Sequence, residues 1–208
     1  MKRLYLLRHG QTEFNVRKLV QGRCDSPLTD LGRKQAGMAA AWLKGHDVVP
    51  DKVVSSPLGR AMDTASLVAC ELLGPDAAVE PCEDIIERCY GTFEEGPHDA
   101  LPTDVWDPGE DLVPFGGEGS KALQKRMVAT LTNLMGAEGI ETLLAVSHGS
   151  ASRQFIKAAA PEGFELPTKL PNCAIMIFDF EEEKLGEEGD APQSKFILQQ
   201  IIDPQQSN

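Results

Sequence analysis

Three short apolar runs, each ending in a polar turn, constrain the fold of this chain more than any other feature. Leu4-Tyr5-Leu6-Leu7 leads into Arg8-His9-Gly10, Val53-Val54 into Ser55-Ser56-Pro57, and Leu143-Leu144-Ala145-Val146 into Ser147-His148-Gly149. Short apolar runs bounded by turn residues read as buried strands. Helical patterns alternate with them. One is capped by Thr29 or Asp30 and runs from near Leu31 to near Gly45; others cover 58–73, about Ser120 to Met135, and Ala151 to Ala160. Such alternation predicts an α/β fold, a three-layer α/β/α sandwich with a predominantly parallel central sheet and helices on both faces. Parallel strands deliver all three polar turns to one sheet edge, where open α/β sheets bind ligands.

The remaining segments are less regular. Ala78 to Pro81 is a candidate third strand, and Ala174–Phe180 with Lys195–Ile202 reads as a hairpin joined by the acidic stretch EEEKLGEEGDAPQ. Gln11 to Thr29 is rich in turn residues. Asp84 to Gly119 has little periodicity and carries Pro97, Pro102, Pro108 and Pro114, so it reads mainly as an extended loop. The expectation is one catalytic domain over 1–208, with 92–119 as a lid or insertion loop.

Composition narrows the function. A net charge of −12 argues against broad electrostatic binding to nucleic acid or an anionic membrane, so an anionic substrate needs a local positive pocket. No apolar stretch approaches transmembrane length and none reads as a targeting signal. The five cysteines are scattered, without CxxC or Cys/His spacing, which suggests free thiols in a reducing cytoplasm and no zinc site. A homodimer is left open.

Two arginines and two histidines converging on one edge suit phosphate chemistry. The arginine fork matches phosphate oxygens and stays charged. A neutral imidazole can attack phosphorus, and a second can donate to oxygens as charge develops. Neither step needs a metal, and neither a Walker-type glycine loop nor a dense carboxylate motif is present. Blander roles exist for each residue: Arg60 pairing with Asp63 on its own helix, or Glu87 as a solvated partner of Arg88. Gln11, Thr12 and Arg23 read as loop residues, and His46 and His98 as surface residues without a role.

LLRHGQTEFN resembles the signature of the histidine phosphatase superfamily, also called the phosphoglycerate-mutase-like family. An RHG triplet alone is a weak signal. Here QGRCDSPLTDLGRKQA, SSPLGRAMDTA, ERCYG, GGEG and VSHGSASR follow in the family's order across nearly the whole chain. The resemblance implies that His9 is the nucleophile that forms a phosphohistidine. It implies that Arg8, Arg60 and His148 complete the phosphate pocket, that Glu87 is the proton donor, and that Asn15, Gln21 and Gly22 line the pocket or contact substrate. Glu83 and Asp84 compete with Glu87 by proximity. No cofactor and no metal is implied.

The reaction class is read from charge. A mutase needs positive charge for its substrate's second anionic group, and mutases of this family carry basic residues between the acid motif and the second histidine, with a closing tail. From Cys89 through Ser120 this chain has no Lys or Arg but eight carboxylates, and it ends soon after its last predicted strand. The expectation is therefore a phosphomonoesterase acting on a small phosphorylated metabolite, with a neutral or cationic leaving group favoured by the acidic loop. Alternatives are a cofactor-dependent phosphoglycerate mutase and a non-catalytic module that binds phosphorylated ligands.

Overall fold

The computed structural model describes residues 1–160, 164–182 and 195–206. Six strands form one sheet: β1 (Lys2–Arg8), β2 (Lys52–Ser55), β3 (Glu80–Pro81), β4 (Thr142–Ser147), β5 (Ile175–Glu181) and β6 (Lys195–Ile202). Their order is β3-β2-β4-β1-β5-β6. The four strands β3, β2, β4 and β1 are mutually parallel, while β5 runs antiparallel to β1 and β6 antiparallel to β5. The sheet is thus mixed, with its parallel portion at the strands that carry the polar turns. The expected hairpin pairing is present, and its acidic connection lies outside the described residues apart from Glu181 and Glu182.

Alternate residues of the strands feed two cores. On one face, Leu4, Leu6, Leu143 and Ala145 pack under α4 (Ser120–Met135) and α5 (Gly149–Ala159). On the other, Tyr5, Leu7, Leu144 and Val146 pack under α2 (Asp30–Gly45) and α3 (Gly59–Leu73). The period of two along each strand therefore fills both outer layers. Phe155 and Phe178 meet edge-on with ring centres 4.9 Å apart, a geometry worth about 0.5–1.5 kcal/mol beyond area burial.

Three expectations need correction. The third strand shrinks to two residues at the sheet edge, paired Val54 to Glu80 and Ser55 to Pro81. A five-residue helix, α1 (Glu13–Arg17), interrupts the turn-rich segment; Thr12 caps it through the Asn15 N–H while the Asn15 side chain accepts from the Thr12 N–H. The segment after Asp84 is a series of 3-10 turns rather than a loose loop, packed around Val20, Tyr90, Leu101 and Leu112. Its prolines exclude long helices or strands but not compact packing. Among the described residues no helix is long and apolar enough to cross a membrane.

Candidate active site

The sheet ladder sets the site. Arg8 pairs with Ser147, and the bonding continues one step past the strands: the His9 N–H donates to the Ser147 carbonyl at 3.0 Å, and the Ser56 N–H to the Val146 carbonyl at 2.9 Å. His9, Ser56 and His148 therefore emerge side by side. The His9 and His148 rings lie 5.2 Å apart at 61°. His9 Nδ1 is 2.7 Å from the Gly10 carbonyl, which can only accept, so Nδ1 carries the proton and Nε2 keeps its lone pair. His148 Nε2 meets the Ser56 hydroxyl at 2.7 Å, and its buried Nδ1 has no partner.

Both imidazoles are held well below the ordinary histidine range, first by burial and then by the neighbouring cations, Arg60 and Arg8. They are neutral at pH 7. A Cβ at Gly10 would lie 2.4 Å from the Gly32 carbonyl oxygen, so this glycine gives room to the start of α2.

Arg60 sits in the first turn of α3. Asp25 caps that helix through the Gly59 and Arg60 N–H groups at 2.6 and 3.3 Å, and pairs with the Arg60 guanidinium at 3.2 Å. The partner of Arg60 is thus Asp25, not Asp63. Nη2 donates to the Gly22 carbonyl and Nη1 to the Cys24 carbonyl, each at 2.7 Å. Arg8 donates to the Leu170 carbonyl and lies 5.0 Å from the centre of the Trp106 ring. Burial lowers its pKa to about 10, against the pull of Glu87, and it remains a cation at neutral pH. The Nε atoms of Arg8 and Arg60 are buried and unpartnered.

Glu87 is buried at the start of α5. Its Oε1 accepts from the Arg88 and Ala151 N–H groups, both at 2.8 Å, and Oε2 from the Ser150 N–H at 3.1 Å. A helix N-terminus favours an anion, which explains why a carboxylate can be held here. Glu87 lines the same cleft as Arg8, His9, Asn15, Gln21, Gly22 and Arg60. Glu83 and Asp84 are exposed outside it.

Several further residues shape the cleft. Thr12 donates to the Gln21 side chain at 2.9 Å, and Asn172 donates to the His9 carbonyl and the Asn15 side chain. Glu94 accepts from the Arg23 and Tyr90 N–H groups and the Cys24 thiol, latching the Gly22 turn. Trp106 covers Arg8, and Gly149 is required beneath it: a Cβ there would lie 2.8 Å from the ring. His98 lines the cleft and is half-buried, which corrects its assignment to the surface. Ser56 and Gly149 lie within the motifs SSPLGRAMDTA and VSHGSASR; Asp25, Glu94, Asn172 and His98 reach the site only through contacts distant in sequence. Among the described residues no group of three or more His, Cys, Asp or Glu side chains is placed to hold a metal.

Residues 4–188 match the family model of the histidine phosphatase superfamily, branch 1. A probable phosphoglycerate mutase (GpmB) of Yersinia pestis is 30% identical over 192 residues, covering 88% of this chain and 86% of that protein. Among solved structures, phosphoserine phosphatase of Entamoeba histolytica, in complex with 3-phosphoglyceric acid, superposes with a TM-score of 0.67 at 30% identity, covering 86% of this chain and 91% of that one. The mycobacterial glucosyl-3-phosphoglycerate phosphatase does so with a TM-score of 0.70 at 28% identity, covering 87% and 92%.

Proposed function

The chain belongs to the histidine phosphatase superfamily, and from that premise we propose that it is a metal-independent phosphomonoesterase acting on a small phosphorylated metabolite. The observation that carries this reading is a set of three buried, unpartnered nitrogens around His9: Arg8 Nε, Arg60 Nε and His148 Nδ1. Leaving a buried donor unsatisfied costs roughly 1–3 kcal/mol each, so such a cluster calls for an acceptor. A phosphoryl group supplies several. His148 meets it by carrying its proton on Nδ1 while Ser56 donates to Nε2.

His9 Nε2, with its lone pair free, attacks phosphorus and forms the phosphohistidine as the ester oxygen departs. The arginines and His148 neutralise charge on the equatorial oxygens. Glu87 takes the proton that a phosphate monoester monoanion brings in and passes it to the leaving oxygen, which would otherwise depart as an alkoxide. The carboxylate so regenerated then takes a proton from the water that attacks the phosphohistidine. Segment 92–119 forms the wall over this site, with Trp106 above Arg8.

A mutase remains as the second reading, favoured by one observation. The carboxylates of Glu94 to Glu118 do not line the cleft, so they do not repel a second anion as their sequence position suggested. Against it, Arg8 and Arg60 are the only Lys or Arg lining the cleft among the described residues, and both serve the phosphoryl group.

The test is phosphate release from p-nitrophenyl phosphate in the presence of chelator, with trapping of an acid-labile phosphoenzyme. His9→Ala should lower turnover by more than about a hundredfold with the fold retained. Absence of both turnover and phosphoenzyme in the unmodified protein would leave a phospho-ligand-binding module. Interconversion of 3-phosphoglycerate in the presence of 2,3-bisphosphoglycerate, with little phosphate release, would establish the mutase.

A further inference from the structure

Beyond the phosphoryl-holding side chains, the cleft is walled by residues of two strips of backbone that are zipped together. The Val20 N–H donates to the Gly96 carbonyl at 2.9 Å, the Glu95 N–H to the Val20 carbonyl at 2.8 Å, and the His98 N–H to the Lys18 carbonyl at 3.1 Å. This ladder fixes the His98 ring, whose Nε2 lies 3.2 Å from the Leu19 carbonyl. Because a carbonyl only accepts, Nε2 is the donor, and Nδ1 is left as the acceptor of the neutral ring.

The rest of this outer part is apolar: Leu19, Val20, Val105 and Trp106 line it. Burial, with Lys169 and Lys18 adding to it, holds His98 below the ordinary histidine range, against the Leu19 bond and Asp99. The ring therefore carries no charge at pH 7. None of the loop's carboxylates, Asp99 beside His98 included, lines the cleft, and three are engaged elsewhere: Asp107 by Gln154 and Lys157, Glu110 by the Lys121 N–H, and Glu118 by Arg126. This removes the expected reason for favouring a cationic leaving group.

We propose that the outer cleft is a leaving-group subsite for an uncharged, hydroxyl-bearing alcohol, and that His98 is a specificity-determining residue that accepts from a substrate hydroxyl and disfavours a second anion. The proposal rests on the phosphatase reading above. A carboxylate placed here meets an acceptor and apolar walls, and the two lysines that act on His98, Lys18 and Lys169, do not line the cleft to pair with it, whereas a polyol meets both a hydrogen-bond acceptor and surfaces for its C–H faces.

Glycerol 3-phosphate and 3-phosphoglycerate differ at one carbon, a hydroxymethyl group in one and a carboxylate in the other. The expected kcat/KM favours glycerol 3-phosphate by about tenfold or more, the size of one unmatched polar interaction; parity or the reverse overturns the subsite. His98→Lys should shift that ratio about tenfold towards 3-phosphoglycerate, mainly through KM. An unmoved ratio removes the role of His98. If that variant fails to fold, His98→Ala should raise KM for glycerol 3-phosphate several-fold more than KM for p-nitrophenyl phosphate, and equal changes refute the assignment. Failure to hydrolyse p-nitrophenyl phosphate strikes the phosphatase reading instead. Calorimetric binding of the two ligands to His9→Ala protein then still decides the subsite, with tighter 3-phosphoglycerate binding counting against it.

Discussion

Arg88 Nε donates to the Ser150 hydroxyl at 2.9 Å, and the Ser150 N–H in turn donates to Glu87 at 3.1 Å. Arg88 is wholly buried, yet its partners are two hydroxyls and two carbonyls rather than a carboxylate: Nη1 reaches Glu118 and Gly109, and Nη2 reaches Ser120. One cation thus ties the wall of the cleft to the starts of α4 and α5, where Glu87 is held. Arg88→Met removes the donors and strands the carbonyls. The expected loss is about 2–4 kcal/mol in urea unfolding, since hydrogen bonds to charged groups are worth roughly 1.5–3 kcal/mol each and part of the loss relaxes. Arg88→Lys cannot reproduce the fork and should fall between. A Met variant as stable as the parent would contradict this account.

Glu94 acts on the phosphate site from a distance. It holds the turn whose Gly22 carbonyl accepts from Arg60, and Gly22 itself, at φ 55°, leaves no room for a Cβ, which would lie 2.2 Å from Glu94 Oε1. Glu94→Ala should loosen the turn and lower kcat/KM by about tenfold, the scale of one lost charge-assisted hydrogen bond. Glu94→Gln keeps an acceptor for the two N–H groups and should recover most of that loss. Steady-state kinetics with p-nitrophenyl phosphate checks both; equal behaviour of Ala and Gln would show that the latch does not matter.

How much of this was legible beforehand depends on sequence distance. The strand ends that carry Arg8-His9, Ser55-Ser56 and Ser147-His148 are local patterns, so their convergence followed from parallel pairing alone. Helix α1 escaped notice because none of its residues is buried and it presents no apolar periodicity. The antiparallel direction of β5 is a matter of topology, on which periodicity is silent. His98 looked exposed because its place in the cleft depends on a ladder to Leu19 and Val20 nearly eighty residues upstream. For the acidic loop, charge counted along the chain does not say which way each carboxylate turns.

Stability should fall on acidification from neutrality. His9 and His148 are held neutral in the folded protein, their values lowered by burial and by Arg60 and Arg8. Unfolded, each takes up a proton near its ordinary value of about 6.5, so below that pH the unfolded state binds more protons and gains on the folded one. The contribution is complete above about pH 6.5 and is lost as pH falls through the window beneath it, by up to about 1.4 kcal/mol per pH unit for each histidine. Urea midpoints between pH 7.5 and 5 measure this. A His148→Gln variant should show a shallower slope, and an unchanged slope would mean that this imidazole is not held neutral.

The role of Glu87 is tested by the chemistry of the leaving group. Glu87→Gln retains an oxygen able to accept from the Arg88 and Ala151 N–H groups, but sets its amide against the Ser150 N–H, two donors facing each other. A modest loss of binding follows from that clash and is common to all substrates. The amide also has no acidic proton to give. An alkyl ester, whose alkoxide leaves poorly, should lose a further factor of about 10²–10⁴ in kcat, the usual range for general acid catalysis, whereas p-nitrophenolate departs with little help. Formation of phosphoenzyme from the aryl ester should therefore survive, while its hydrolysis slows because the same carboxylate activates water, so rapid quench should show a burst followed by slow release. Equal losses for alkyl and aryl esters, with no burst, would assign proton transfer to another group and leave Glu87 as the anion that caps α5.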